Sequence, residues 1–207
     1  MEDIWPVMGL RATADEVVLR PVVEGDIVEL ATLLPDDYEL DPTIDSAAEL
    51  PRPLHLLRTY WRDQAVWRTD SWKLHLVAIA PSGRPIGMQI LEAEDFAADR
   101  TVDSASWVTP AARRRGFGAA MRGAMLALAF DGLGARRAVT SAWQDNTASL
   151  AVSRRHGYEV DHVEQRVRGD AQDVLVHLQL SVDSWRATPH QRVELTGVEP
   201  ALASFGI

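Results

Sequence analysis

The sequence predicts an α+β domain in which a mixed, largely antiparallel sheet of about seven strands is flanked by helices. Two pairs of strand-like runs are joined by short turn sequences and indicate hairpins. The elements follow the order strand, two helices, three strands, helix, strand, helix and two strands, which differs from the regular alternation of a doubly wound fold. An Arg- and Gly-rich loop links the strand and helix at the centre of this order.

Each element is predicted from its own local pattern. Strands are apolar runs with alternation, and helices are runs with an apolar residue every three to four positions. Prolines and glycines supply the breaks between them. The predicted strands lie near residues 16–23, 74–80, 86–92, 101–108, 138–142, 159–167 and 174–180, and the predicted helices near 26–34, 54–67, 117–130 and 146–157.

The length of 207 residues fits one well-buried domain. We expect this domain to span residues 16–182, preceded by an N-terminal segment, 1–15, and followed by a C-terminal extension, 183–207. The extension carries widely spaced apolar residues that need a surface to cover, either on their own domain or on a second copy. The sequence thus leaves a homodimer open.

Charge and composition exclude several classes of function. The net charge of −9 argues against nucleic acid or an anionic membrane as a partner. No run approaches the roughly 18 apolar residues that a membrane helix needs, and no signal peptide is visible, so we expect a cytoplasmic location. The absence of cysteine excludes a thiolate nucleophile, and the six histidines show no metal-ligand spacing, so no metal is predicted.

The Arg- and Gly-rich loop, Arg113 to Gly118, separates a strand that ends at Val108 from a helix. Because glycine has no Cβ, backbone N–H groups near Gly116 can approach an anion, and the helix N-terminus adds partial positive charge. The pattern lacks the third glycine and the downstream acid of a dinucleotide-binding loop, and also the Lys-Ser/Thr pair of a Walker loop. We therefore expect the loop to bind a phosphate of another kind of ligand.

Two stretches together carry a resemblance to a known family. The run V-T-P-A-A-R-R-R-G-F-G over residues 108–118 resembles the acyl-CoA pyrophosphate loop of GCN5-related N-acetyltransferases (GNAT). The run N-T-A-S at 146–149, with R-R-H-G-Y at 154–158, resembles the second signature of that family, a helix that begins at Asn and ends in Gly and an aromatic residue. The order of elements is also similar from about Val17 to Leu180.

Within this family, the chain is most similar to the RimJ/RimL-type branch and to an actinobacterial subgroup. The resemblance implies an N-acyltransferase that uses acetyl-CoA or succinyl-CoA and acylates a primary amine on a protein N-terminus, a lysine or a small molecule. It implies direct transfer in a ternary complex, since no cysteine can hold the acyl group. A module that binds acyl-CoA as a sensor or interaction partner, without turnover, stays open as the alternative.

The resemblance also implies the residues that bind the donor. The pantetheine arm is expected between two splayed strands, near the backbone of Trp107 and Val108, and the pyrophosphate at the loop. Asn146 is a good helix N-cap by residue type and, in the family, also contacts the pantetheine. The expected donor contacts are Trp107, Val108, Arg113, Arg114, Arg115, Gly116, Phe117, Gly118, Ala119, Asn146 and Ser149.

Two residues are candidates for proton transfer. Relatives outside the branch carry a tyrosine at the position of Ser153 to protonate the departing thiolate, and its absence here makes Ser149 the expected acid. Attack requires a neutral amine and therefore a base. Asp103 is favoured because it shares a strand face with Trp107 that leads toward the expected thioester. The other candidate bases are Glu92, Glu94 and Asp95.

The acceptor is expected to bind against the loop and helix of residues 35–67. This segment is rich in acidic side chains, which attract a cationic amine. The acidic residues in question are Asp36, Asp37, Glu39, Asp41, Asp45 and Glu49.

Overall fold

A computed structural model of the chain describes residues 1–41, 43–44 and 50–207. Within these residues, one sheet of nine strands runs through the molecule and helices cover both of its faces. The strands are β1 (Arg11–Thr13), β2 (Val18–Pro21), β3 (Ser71–Ile79), β4 (Pro85–Glu94), β5 (Thr101–Val108), β6 (Arg137–Trp143), β7 (Glu159–Arg168), β8 (Ala171–Ser181) and β9 (Glu194–Thr196). The helices are α1 (Glu24–Leu33), α2 (Arg52–Ala65), α3 (Phe96–Asp99), α4 (Phe117–Ala127), α5 (Thr147–Arg155), α6 (Val182–Ala187) and α7 (Val198–Ala201).

The strand order across the sheet is β7-β8-β6-β5-β4-β3-β2-β1-β9. Neighbouring strands are antiparallel except for β5 and β6, which are parallel and are connected through α4. A parallel pair needs such a crossover because its strands run in the same direction. The predicted α+β class, with a mixed and largely antiparallel sheet, is therefore confirmed.

The predicted number of seven strands is wrong, because the described part of the chain has nine. The two additional strands, β1 and β9, have three residues each and pair with each other, Ala12 opposite Leu195. Runs this short show no alternation that sequence reasoning could detect. Residues 183–207 also contain two short helices rather than a fully extended tail, and Phe205 is completely buried against Trp67 and Trp72.

Two apolar clusters lie on opposite faces of the sheet. On one face, Leu30 of α1 and Tyr60 of α2 pack against Val77, Met88 and Trp107. Each large apolar side chain buried in this way contributes about 1.5–3 kcal/mol relative to exposure. This packing fixes α1 and α2 over the same strands whose ends form the site described below.

The other face is covered by α4, whose residues 121–127 are all buried. Since β3 is covered on both faces, its residues 74–78 are all buried, without the alternation of a strand that has one face in solvent. After Ala127, α4 continues into one π-helical turn, Leu128–Gly132. At the opposite end of the helix, the N-terminus of α4 follows the Arg- and Gly-rich loop and lies beside the end of β5.

The strands β4 and β5 approach each other closely at Gly87. A Cβ atom at this position would lie 2.2 Å from the carbonyl oxygen of Trp107, so no residue other than glycine fits without a backbone shift. The contact shows that the Trp107 carbonyl is directed toward β4.

Candidate active site

The parallel pair of β5 and β6 separates soon after it begins. Pairing covers only Thr101–Asp103 opposite Arg137–Val139, although β5 continues to Val108 and β6 to Trp143. We call the resulting V-shaped opening the fork. A cavity of about 400 Å³ lies at the fork, and we refer to it as the cleft.

Two hydrogen bonds mark the apex of the fork. The N–H of Ser104 donates to Oδ1 of Asp103 at 2.6 Å. The hydroxyl of Thr140 donates to the carbonyl of Ser104 at 2.9 Å. These side chains take the place of the next ladder bonds, so the strands can diverge without leaving the Ser104 backbone unsatisfied.

Beyond the apex, the backbone groups of β5 point alternately to β4 and into the gap. The N–H of Thr109 donates to the carbonyl of Ile86, and in an antiparallel ladder every second residue faces the same neighbour. The backbone N–H and C=O groups of Trp107 therefore point to β4, as the position of its carbonyl near Gly87 also indicates. Those of Ser106 and Val108 point into the gap. A ligand in the gap can therefore form hydrogen bonds with the backbone of Ser106 and Val108. The sequence analysis expected the backbone of Trp107 and Val108 in this role.

The Arg- and Gly-rich loop carries a row of backbone donors. Within the part of the chain that the structure describes, the N–H groups of residues 114–118 have no hydrogen-bond acceptor. Arg114 and Gly116 have positive φ angles of 59° and 86°, and Gly116 caps α4. Consecutive donors at a helix N-terminus form an anion site, and the phosphate that the sequence predicts for this loop stays a prediction.

The three arginine side chains of the loop differ in their contacts. Arg113 donates through both terminal nitrogens to Asp37 at 2.7 and 2.6 Å, and through Nε to the Val108 carbonyl at 3.1 Å. The guanidinium of Arg115 lies 5.3 Å from the centre of the buried aromatic ring of Phe117. Arg114 is exposed. The Arg113 side chain is thus directed at the chain itself, and a phosphate would meet mainly backbone donors.

The N–H of Ala119, which sequence reasoning placed among the donor contacts, bonds the carbonyl of Gly116 at 3.0 Å inside α4. Its own carbonyl receives a hydrogen bond from Nε2 of His156 at 2.9 Å. Burial lowers the pKa of His156 to about 4, so the ring is neutral at physiological pH. His156 therefore joins the end of α5 to the first turn of α4.

The second wall of the cleft is the start of α5. Asn146 caps this helix, because its Oδ1 accepts the N–H of Ser149 at 3.1 Å. The Nδ2 amide of Asn146 is not used by the cap and can donate to a ligand. Both Asn146 and Ser149 line the cleft, on the side of the fork opposite β5.

Asp103 stands at the apex of the fork. Asp103 is an exposed residue, although surrounding protein partly encloses its carboxylate. This enclosure is the largest cause that raises its pKa to about 6, and the charge of Glu92 adds to it, while the Ser104 N–H, Arg122 and Lys73 oppose it. The carboxylate is therefore mostly ionised at neutral pH yet more basic than an ordinary aspartate, as a general base requires.

The other candidate bases have different surroundings. Glu92 lines the cleft and forms an ion pair with Lys73 at 2.6 Å. Glu94 accepts the hydroxyl of Ser71 at 2.8 Å, and Asp95 follows the end of β4 with a φ of 49°. Like Asp103, neither Glu94 nor Asp95 is part of the cleft lining, and Glu92 is the one candidate base that is.

A cluster of buried polar groups lies at the apex on the α4 side, and sequence reasoning missed it. Arg122 of α4 is only 3% exposed, lines the cleft, and within the described residues its Nε and Nη1 have no hydrogen-bond partner. The hydroxyls of Ser104, Ser153 and Tyr158 are also buried without a partner there. The Arg122 guanidinium lies 5.7 Å from the centre of the Tyr158 ring, and burial raises the pKa of Tyr158.

The face under α1 and α2 contains a second missed group. Nε2 of His75 and Oδ2 of Asp63 are 2.9 Å apart, and both side chains are buried. Arg62 donates to Oδ1 of the same carboxylate and also to Asp41. Burial pushes the pKa of Asp63 up, but the hydrogen bonds from His75 and Arg62 outweigh it and hold the pKa below its ordinary value.

The segment of residues 36–41, which we call the strap, crosses the fork above the cleft. Asp37 binds Arg113 beside the end of β5, and Glu39 accepts the indole N–H of Trp143 at the end of β6, at 2.6 Å. The strap thus touches both arms of the fork. An acceptor would have to reach the apex beside it or beneath it.

Most of the described acidic residues of this segment are engaged with groups of the same chain. Asp37, Glu39 and Asp41 have the partners given above, and Asp36 is exposed. The predicted recruiting residues Asp45 and Glu49 lie outside the described residues.

In the described part of the chain, no group of three or more His, Asp or Glu side chains could hold a metal ion. No helix of that part is long and apolar enough to cross a membrane.

Comparison with known proteins agrees with this geometry. Residues 16–159 match the family model described as an acetyltransferase (GNAT) domain. Among solved structures, the spermidine/spermine N-acetyltransferase SpeG from Vibrio cholerae is similar with a TM-score of 0.65 and 13% sequence identity, covering 83% of this chain and 96% of that one. A GNAT-family acetyltransferase from Bacillus anthracis is similar with a TM-score of 0.65 and 12% identity, covering 84% and 99%. At these identities the structural likeness concerns the fold.

Proposed function

Because the chain belongs to the GNAT acetyltransferase family, we propose that it is an N-acyltransferase that moves the acyl group of a CoA thioester to a primary amine in the cytoplasm. The observation that carries this proposal is the fork of β5 and β6. Its gap presents the backbone of Ser106 and Val108, and it ends at a loop whose N–H groups 114–118 have no acceptor among the described residues. Few ligands need both a loop that binds an anion and a strand edge that supplies backbone hydrogen bonds.

Coenzyme A fits both requirements. The loop at the α4 N-terminus would hold the pyrophosphate, and the amide-bearing pantetheine arm would pair with β5 in the gap as an added strand. Ser106 and the N–H of Val108 would supply hydrogen bonds on one side, and Asn146 would supply them through Nδ2 on the other. The thioester would then lie near the apex, beside Asp103 and Ser149.

The thioester supplies an acyl carbon that is reactive toward nitrogen, and the residues of the chain manage the protons. The Asp103 carboxylate takes a proton from the incoming ammonium group, directly or through water, so that the neutral nitrogen can attack. As the C–N bond forms and the C–S bond breaks, the Ser149 hydroxyl gives its proton to the departing thiolate sulfur. The second proton that the attacking nitrogen loses returns through water to Ser149, so the product is a neutral amide and a free thiol. Backbone N–H groups at the end of β5 polarise the carbonyl oxygen.

The acyl group is either acetyl, as in the family name, or succinyl, and one observation favours the latter. Arg122 is buried, lines the cleft and has two nitrogens without a partner among the described residues. Buried guanidinium nitrogens that lack an acceptor are costly, and a carboxylate on the donor would satisfy them. Acetyl-CoA offers no such group.

The acceptor is a primary amine. SpeG, whose structure is similar, is a spermidine/spermine N-acetyltransferase, which makes polyamines one class to test. Protein N-termini are the other class, as the RimJ/RimL-type resemblance implies. The net charge of −9 favours cationic acceptors of both classes through long-range attraction.

Release of free thiol from acetyl-CoA and from succinyl-CoA, measured with polyamines, lysine and N-terminal peptides, tests the proposal. We expect turnover with at least one donor and one amine. CoA binding without turnover on any amine would favour the alternative, an acyl-CoA sensor. No CoA binding at all would contradict both. For the acyl group, Arg122→Gln should lower kcat/KM for succinyl-CoA more than for acetyl-CoA.

A further inference from the structure

The edge strand β7 is exposed in a manner that indicates an interaction surface. None of the ten residues of β7 is buried, and Val160, Val163 and Val167 are 54%, 61% and 66% exposed. β7 pairs only with β8, so its outer edge carries backbone donors and acceptors without a strand partner among the described residues. Long exposed edges of this kind are templates for pairing with another strand.

The three valines lie on one face of the hairpin formed by β7 and β8. Asp161 is a bulge, since Val160 is opposite Leu178 while His162 is opposite His177. The bulge brings Val160 onto the same face as Val163, because a bulge shifts the alternation by one residue. This face borders an apolar groove lined by β7, β8 and the side of α5, with Val174, Val176 and Leu150 among its residues.

The order of charges along β7 identifies the occupant as a second β7. Beyond the bulge, residues 162–168 form an uninterrupted ladder with β8. In an antiparallel pair, directly opposite side chains lie on the same side of the sheet. When a two-fold axis relates two copies of one strand, opposite residues are therefore an even number of positions apart, and the residue at the axis lies opposite its own copy. A pair centred on Glu164 or on Arg166 would oppose like charges.

A pair centred on Gln165 has the opposite property. Glu164 then faces Arg166 of the second copy, and Arg166 faces Glu164, while Val163 and Val167 face each other on the other side of the sheet. Facing opposite charges and facing β-branched residues both stabilise antiparallel pairs. The register therefore pairs Glu164 with Arg166 and covers two of the three exposed valines, and it places His162 opposite Arg168 at the ends of the ladder.

We propose that the protein forms a homodimer in which two copies of β7 pair in antiparallel fashion about a two-fold axis at Gln165. The two sheets become one continuous sheet, and the valine faces of both hairpins lie side by side. Arg168, at the end of this ladder, also lines the cleft and stacks over Trp143 with its guanidinium 5.0 Å from the ring centre. The proposed interface therefore extends to Arg168, a residue of the cleft wall.

Analytical ultracentrifugation of the full chain over a concentration series tests this dimer by charge reversal. Arg166→Glu places one like charge opposite each Glu164, at two symmetric positions of the dimer, and Glu164→Arg does the same opposite each Arg166. We expect each single variant to weaken the dimer by at least about tenfold. The double variant, with Glu164→Arg and Arg166→Glu together, restores opposite charges and should return the dimer toward wild-type affinity.

A matched control is Glu159→Arg, an acid of the same strand that lies before the bulge and outside the paired residues. It should leave the dissociation constant unchanged. All these side chains are exposed, so the variants should fold, and circular dichroism checks this. A monomeric wild type would overturn the proposal, and so would a dimer that the single reversals leave intact or that the double variant fails to restore.

Discussion

The N–H of Ser104 donates to the carboxylate of Asp103 at 2.6 Å, at the residue where β5 parts from β6. The same carboxylate therefore ends the strand pairing and occupies the apex of the gap that the separation creates. Its enclosure there raises its pKa to about 6. A feature of the fold, the end of a ladder, thus coincides with a group suited to accept a proton.

Replacing Asp103 with Asn should lower kcat/KM by about 10²–10⁴-fold, because a positioned base is lost while the shape is kept. The wild-type kcat/KM should fall as the pH drops below about 6, since the carboxylate is then protonated. Steady-state kinetics from acidic to mildly alkaline pH measures both effects. An unchanged pH profile in the variant would assign the base to another group.

Stability provides the control for this variant. The folded-state pKa of Asp103 lies above the ordinary value of 3.8, so the folded state binds the proton more tightly than the unfolded state. The ionised carboxylate consequently destabilises the fold at neutral pH, and Asp103→Asn should raise the melting temperature at pH 7. The difference should shrink as the pH falls toward 4. Lost activity with gained stability cannot result from misfolding.

Enlarging Gly118 should block the donor without harming the fold. A Cβ at this position would meet Val108 and Val152 at 3.8 and 4.0 Å, which is ordinary contact. Gly118→Ala should therefore fold normally, whereas Gly118→Trp fills the space between β5 and α5 and should abolish CoA binding in calorimetry. Gly25→Trp is the matched control, because a Cβ at Gly25 meets nothing within 4 Å. Unchanged affinity in Gly118→Trp would refute the loop assignment.

Ser149→Ala should lower kcat and leave the KM for the donor nearly unchanged. The helix cap uses the backbone N–H of Ser149, which the substitution retains, so α5 should stay intact. The contrasting variant is Asn146→Ala, which removes the cap and should cost about 1 kcal/mol of stability. A kcat equal to that of the wild type in Ser149→Ala would exclude the hydroxyl as the acid.

The elements that the sequence predicts well are those with a local signal. The strand of residues 101–108, the loop beside it and the cap at Asn146 all follow from patterns within a few positions. The strands β1 and β9 have no such signal, because they exist only through pairing between the two ends of the chain.

The same contrast holds within the site. Asp103 is a candidate from its strand position, but its raised pKa depends on Glu92 and on the enclosure that other elements provide. Arg122 and Tyr158 come together from α4 and from the segment before β7, so no motif joins them. Tertiary packing creates these environments, and sequence spacing does not record it.

Removing the Asp63 carboxylate should destabilise the fold strongly. Asp63→Ala leaves the buried His75 without its acceptor, while Arg62 keeps Asp41, and the loss costs about 1–3 kcal/mol. The lowered pKa of Asp63 implies a contribution that is complete above the ordinary value of 3.8 and is lost as the pH falls through the folded-state pKa. Urea unfolding at neutral and acidic pH should therefore show a wild-type advantage that declines with acid. The matched control is Asp70→Ala, whose exposed carboxylate pairs with Arg68 and should matter little at either pH. Equal losses in the two variants would show that the Asp63 pair has no special structural role.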